Sequence, residues 1–268
     1  MGAIAPRELA APAPADRLDA GFGKRSVLPR VLRYLAMPLL LTGVCVWLYL
    51  YVTSKELDSI EQRTLNQEFL TQKLLEHVKL AGAATLLVIA IAVPLGILLT
   101  RPPFRRLTPL VIGFANIGQA VPTLGLVIFF PVVMTQIGFR PVLYALVIHS
   151  ALTVLRNTMV GLHQIDRSLI EAGRGMGMTK LRVLLRIELP LSTPIILAGV
   201  RTALILNVGT ATVGTFINAG TFGDLITNGI ALNRDTVLIT GGVLTAVLAL
   251  GIDWVAGVAE DILRPRGL

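Results

Sequence analysis

The chain alternates long apolar runs with short polar or basic breaks. The runs occupy about 35–52, 78–100, 107–138, 141–160, 194–214 and 237–258. Each reaches or approaches the ~20 residues that carry a helix across a bilayer. The run at 107–138 is too long for one straight span and is interrupted by Asn116, Gln119 and Pro122. It reads as two spans or as one bent span, and charge decides between them. With one bent span, the N-terminal tail and the segments 101–106, 156–186 and 264–266 lie on one side and hold 17 of the 24 Lys and Arg. With two spans, the basic residues of 156–186 move to the other side, against the excess of Lys and Arg in cytoplasmic loops. The expected fold is therefore an all-α integral membrane protein with six transmembrane helices and both termini cytoplasmic.

The segments between the spans add detail. Residues 1–30 are rich in Ala and Pro without helical or strand period, and read as a disordered cytoplasmic tail. Residues 31–77 hold the first transmembrane helix and an external amphipathic segment. The first helix is expected to be retained, because no small-x-small cleavage pattern precedes Thr53. In 54–77 the apolar positions Leu57, Ile60, Phe69, Leu70, Leu74 and Leu75 predict a helix along the membrane surface that leads into the second span. Pro94 should kink that span. Residues 78–260 form the transmembrane domain, with a cytoplasmic loop at 161–190. Residues 261–268 are a short cytoplasmic tail.

Composition agrees with a membrane location. The chain is 54% hydrophobic and 15% charged, with mean hydropathy +0.74, whereas a soluble domain is closer to 25% charged. The net charge of +8 belongs to loops of one side, so nucleic acid is not an expected partner. One cysteine, Cys45, excludes an intrachain disulfide. His77, His149 and His163 are scattered without metal-ligand spacing, and no metal or catalytic site is expected. The run Gly173-x-Gly175-x-Gly177 invites a phosphate-loop reading. No strand precedes it and no G-x-x-x-x-G-K-[ST] occurs, so this polypeptide is not expected to bind ATP.

The loop at 161–190 has its own local logic. Ser168 and Glu171 fit a capping box that starts a short helix. Gly177 can take a left-handed conformation and end it. Thr179 can cap a second helix over 180–188. That helix leaves an apolar side of Leu181, Leu184 and Leu185, and Pro190 should stop it and force Leu189 out of helical geometry. Two short helices joined by a glycine elbow would stand out of the membrane.

Glu171, Ala172, Gly177, Ile187, Leu189 and Pro190 also fall on a family pattern: E-A-A, three residues, G, nine residues, I-x-L-P. The stretch resembles the coupling loop of the membrane subunit of type I, binding-protein-dependent ABC importers. Gly173 stands where that family more often has Ala, a small-for-small departure expected to cost little. The resemblance implies a permease that transports and does not catalyse. Its coupling segment, including Met178 and Thr179, docks into ABC ATPase subunits. ATP and Mg belong to those subunits, so this chain has no cofactor of its own. The further implied partners are a second permease subunit, identical or related, an extracytoplasmic substrate-binding protein and the lipid bilayer of a bacterial inner membrane.

Three other stretches narrow the branch. Gln119-Ala-Val-Pro-Thr-Leu-Gly125, Leu155-Arg-Asn-Thr-Met-Val-Gly161 and the stretch 206–230, with Asn207-Val-Gly-Thr-Ala-Thr212 and Gly220-Thr-Phe-Gly-Asp224, resemble quaternary-amine importer permeases. They imply uptake of glycine betaine, choline, carnitine or a related osmoprotectant. Another small solute, such as an amino acid or a sulfonate, is the alternative. A secondary carrier would need broken helices in two related halves, and no internal repeat is evident. Aromatic residues make up only 6% of the chain, too few to suggest a cation–π cage. Selectivity is therefore expected in the separate binding protein.

Polar side chains inside spans are costly and usually face the bundle interior or water. The candidates for the translocation pathway are Asn116, Gln119 and Pro122 at the break, and Thr202, Asn207, Thr210 and Thr212 on the fifth span. Helix packing through small and hydroxyl residues is the alternative role for each. Arg201 is expected to snorkel to the interface, with Asp253 as a candidate partner.

Overall fold

The computed structural model describes residues 30–263, with side chains from 34 to 262. The expected tails fall almost wholly outside the described residues. Among the described residues every regular element is helical. In order these are α1 Arg30–Thr53, α2 Ser59–Thr64, α3 Gln67–Leu99, α4 Thr108–Ala120, α5 Thr123–Met134, α6 Phe139–His163, α7 Arg167–Gly175, α8 Lys180–Val183, α9 Leu189–Ala211, α10 Gly223–Ala231 and α11 Asp235–Leu263.

Five helical stretches among the described residues are long and apolar enough to cross a membrane: Tyr34–Thr53, Gln67–Leu99, Phe139–His163, Lys180–Ile217 and Asp235–Ile262. The sixth candidate is a bent pair, Arg105–Ala120 with Thr123–Met134, broken by 101°. The break has a local cause. Pro122 drives the residue before it out of helical space, and Val121 is extended at φ −67, ψ 129. Pro122 itself then stands at the N-cap of α5.

The segment 54–77 departs from expectation. Instead of one surface helix, it divides into the short α2 and the first turns of α3. Asp58 caps α2 through a reciprocal capping box with Glu61, and Asn66 caps α3 by accepting from the Phe69 amide at 2.8 Å. Nothing between Gln67 and Leu99 interrupts the helix, so its 33 residues extend about 50 Å, well beyond a ~30 Å hydrocarbon core. The apolar residues Phe69 and Leu70 do not lie against lipid. They pack on Phe222, Leu225 and Val237, a contact between segments far apart in sequence.

The core forms where α3, α6 and α9 meet. Leu80, Val88 and Leu99 of α3, Val142, Leu146 and Val154 of α6, and Ala203 and Ala211 of α9 are buried in one cluster. Small residues let these helices approach, as expected of membrane helix packing. A β-carbon at Gly199 would lie 2.5 Å from that of Asn157, and one at Gly96 would lie 2.8 Å from that of Thr158. α1 is peripheral and packs chiefly along α11. Its Leu39, Trp47, Tyr49 and Leu50 are exposed, which suits a helix bathed in lipid.

Candidate coupling site

The loop between α6 and α9 forms a projecting arm. α7 is capped by Asp166, whose side chain accepts from the Ser168 amide at 2.9 Å. Ser168 was the expected cap. Asp166, two residues earlier, takes the role because its carboxylate reaches the free amide and the helix begins one residue after it. That amide hydrogen bond holds the Asp166 carboxyl below the usual carboxylate range. At the other end, the Gly177 amide bonds to Arg174 O at 3.0 Å and the Met178 amide to Gly173 O at 3.1 Å. This is a Schellman closure, and Gly177 carries the left-handed residue at φ +82. Thr179 then caps α8 by accepting from the Arg182 amide at 3.3 Å. The glycine elbow and the second cap stand as expected.

Pro190 does not stop the helix. α8 runs through a π turn, Leu184–Glu188, directly into α9. Leu189 is helical at φ −63, ψ −47, and its amide bonds to Leu184 O, five residues back. A π turn widens the helix by one residue. Pro190 follows directly after the π turn, whose wider hydrogen-bond spacing makes room for a residue without an amide. The short helix predicted over 180–188 is therefore the lower end of one helical stretch, Lys180–Ile217.

Exposure along the arm is uneven. Glu171, Ala172, Gly177 and Thr179 are exposed, Met178, Ile187, Leu189 and Pro190 are half-buried, and Gly173 is buried. Leu169, Met176, Leu181 and Leu185 are large apolar residues left exposed. An apolar tip of this kind, rimmed by Lys180, Arg182 and Arg186, has the chemistry of a protein-docking surface.

A second cluster surrounds the α4–α5 break. Arg156 Nη2 donates to Asn116 Oδ1 at 2.8 Å. Gln119 Nε2 approaches Thr153 Oγ1 at 3.5 Å, and Thr123 Oγ1 lies 3.5 Å from the His149 ring. His149, Thr153 and Arg156 recur at helical spacing and share one face of α6. The structure thus brings Asn116 and Gln119 together with three residues that the sequence reading did not select. Their spacing on one face of an otherwise apolar span was the available signal. Pro122 is exposed at the break.

The α9 candidates are placed differently. Asn207 is fully buried and its Nδ2 donates to Thr85 Oγ1 at 3.0 Å, which ties α9 to α3. Its Oδ1 has no protein partner. The hydroxyls of Thr202, Thr210 and Thr212 bond to carbonyls of their own helical stretch. No hydrogen bond among the described residues links these four to Asn116 or Gln119. Arg201 finds its expected partner: Nε meets Asp253 Oδ1 at 2.6 Å, with Glu260 at 3.5 Å.

The far end of the bundle is held by other pairs. Lys73 bridges Glu76 at 2.9 Å and Asp224 at 2.8 Å, and Arg234 pairs with Asp58. His77 Nε2 meets Val208 O at 2.8 Å while the Phe222 amide donates to Nδ1. This assigns the neutral tautomer with the proton on Nε2. Among the described residues no cluster of His, Cys, Asp or Glu could hold a metal.

The projecting arm and the helical bundle agree with one family. Residues 92–266 match the family described as "Binding-protein-dependent transport system inner membrane component". The chain belongs to this family. The permease is 39% identical to the choline transport system permease protein OpuBB of Bacillus subtilis (strain 168), over 74% of this chain and 90% of that protein. It is 40% identical to the glycine betaine/carnitine/choline transport system permease protein OpuCB of the same organism, over 72% and 88%. It is 36% identical to the osmoprotectant import permease protein OsmY of Salmonella typhimurium, over 84% and 92%. Among solved structures, an inward-facing form of the MetNI methionine ABC transporter superposes with TM-score 0.65 at 23% identity, covering 75% of this chain and all of that one. That likeness concerns the fold: the permease is an all-helical membrane protein that shares the fold of that chain. It is a multi-pass transport subunit of the plasma membrane and not an enzyme; in this family ATP hydrolysis belongs to a partner ATPase.

Proposed function

We propose that this permease imports a quaternary-amine osmoprotectant, of the glycine betaine, choline or carnitine kind, on ATP hydrolysed by ABC subunits docked on the α7–α8 arm. The substrate class follows what its relatives are named for transporting. The coupling role rests on one observation above the others: an arm with an exposed apolar tip, closed by the Gly177 elbow, runs without a break into a membrane-crossing helix. A force on such an arm tilts that helix directly.

In this reading the bent pair α4–α5 is one span, the protein has six, and both termini are cytoplasmic. Basic residues cluster at the end that carries the arm, as cytoplasmic surfaces do. A second permease copy or relative completes the pathway, and an extracytoplasmic binding protein delivers the solute. The pathway passes the polar face of α6. Arg156 has no acidic partner among the described residues, and a guanidinium facing lipid would be expensive. The face bearing His149, Thr153 and Arg156 therefore looks onto water or the partner permease.

The test is uptake in proteoliposomes that hold the permease, its ATPase and its binding protein, with ATP inside. Labelled glycine betaine and choline are offered outside. ATP-dependent accumulation of either is the expected result. ATPase activity without accumulation of either would overturn the substrate class, and accumulation without any ATPase subunit would overturn the coupling role.

A further inference from the structure

Glu188 lies at the end of the π turn with 5% of its surface exposed. Both of its oxygens meet the Arg101 guanidinium, Nη1 to Oε1 at 3.1 Å and Nη2 to Oε2. Arg101 lies two residues past the end of α3. The pair thus fastens the end of α3 to the base of the arm.

The arm itself bears on the neighbouring residue. Gly173 of α7 packs onto Ile187: a β-carbon at 173 would lie 2.6 Å from Ile187 Cδ1 and 3.5 Å from Val183 Cγ2. α7 therefore presses on Ile187 while Arg101 grips Glu188, the next residue of the same turn. Beside the pair a cleft of about 760 Å³ opens, lined by Pro94, Leu98 and Pro103 and by Ile170, Leu181 and Leu184. Arg101 and Glu188 both line this cleft, and their ion pair joins its two walls.

Only Glu188 of the pair is buried, and the Arg101 side chain is partly exposed; removing Arg101 would still leave a buried carboxylate without its partner, which is costly. A two-pronged arginine–carboxylate contact does fix geometry. Its effect here is to hold two elements in register. α3 in turn packs through Leu80, Val88 and Leu99 into the core it shares with α6 and α9.

We propose that Arg101 and Glu188 form a coupling strut, a pair of positioning residues that make α3 move together with the arm when the ATPase subunits close. α9 receives the movement through its continuous backbone; α3 receives it through the core it shares with α9 and, at its end, through this pair. The proposal rests on the coupling role of the arm.

The test is a double-mutant cycle on the reconstituted complex of permease, ATPase and binding protein. Arg101→Gln, Glu188→Gln and the double variant are compared for ATPase co-purification, solute-stimulated ATPase activity and uptake per assembled complex. Co-purification should be retained. Stimulation and uptake should fall about tenfold in each single variant, within the usual range of coupling between sites. The double variant should be no worse than the worse single, because both changes remove one contact. Arg101→Lys should be intermediate, since an ammonium keeps the charge and loses the fork. If Glu188→Gln does not assemble, Glu188→Asp takes its place beside the Arg101 variants. Additive losses, unchanged stimulation in both singles, or losses that only track the amount of assembled complex would overturn the strut alone. A wild-type complex with no solute stimulation would overturn the coupling role and the strut with it.

Discussion

At the residue scale, Gly177 shows how backbone conformation dictates a residue type. A β-carbon there would meet nothing within 4 Å, so the constraint is its φ of +82 alone. An L-residue in the left-handed region costs about 1–2 kcal/mol, and Asn bears it better than most. Gly177→Asn should therefore retain ATPase co-purification and Gly177→Val should weaken it; Gly177→Asp bears the left-handed region as Asn does and should weaken it only through the negative charge it adds to an exposed surface rimmed by Lys180 and Arg182, while the protein stays in the membrane. Equal co-purification across the series would remove the elbow from the docking surface. Gly173 differs: a β-carbon there would come 2.6 Å from Ile187 Cδ1, the far end of a flexible side chain that can turn away. Gly173→Ala should therefore leave solute-stimulated ATPase activity close to that of the parent, and a several-fold loss would show that Ile187 has no room to move. Gly177 and Thr179 were legible in the sequence because a turn and a cap are decided within a few residues. Asp166 displaced Ser168 as the cap because two suitable residues stand two positions apart, and local propensity does not choose between them.

At the element scale, the break at Val121–Pro122 was legible, since proline restricts both itself and its predecessor. The continuity of α8 through α9 was not. Pro190 signals a stop in any local reading, and only the π turn, five residues wide, makes room for it. The continuity of α2–α3 with the bundle was hidden for another reason. The polar residues of 54–77 suggest a surface, and the partners of Phe69 and Leu70 lie more than 150 residues away in the chain. The polar face of α6 carries a prediction at this scale. In a Cys45→Ser background, Thr153→Cys should react with a water-soluble maleimide in the reconstituted protein, and Leu39→Cys on the lipid-facing side of α1 should not. Thr153 is half-buried and Leu39 is 66% exposed in the isolated chain. Surface area alone therefore predicts the opposite order, and only a water-filled path along α6 gives the expected one. Reaction at Leu39→Cys without reaction at Thr153→Cys would remove this face from the pathway.

At the scale of the whole molecule, the two ends of the bundle differ in how charge is used. The arm end carries basic side chains that face solvent: Arg105, Arg174, Lys180, Arg182 and Arg186. The opposite end is held by compensated contacts, Lys73 with Glu76 and Asp224, and Arg234 with Asp58. The Asp58 carboxyl there is kept below its ordinary range first by the Glu61 amide, with Arg234 adding to the effect. An excess of free positive charge belongs on the cytoplasmic side, and the proposed orientation, with the arm inside and the α2–α10 end outside, rests on this asymmetry. Two single-cysteine variants in the Cys45→Ser background test the orientation, Lys55→Cys and Arg105→Cys, both at exposed positions at opposite ends. In intact cells a membrane-impermeant maleimide should label Lys55→Cys and leave Arg105→Cys unlabelled until the membrane is opened. The reverse pattern would place the arm outside, beyond the reach of any cytoplasmic ATPase. Labelling of both in intact cells would mean that the loop after α3 and the loop after α1 share a side. α3 would then fail to cross the membrane, and the bent pair α4–α5 would have to be counted differently.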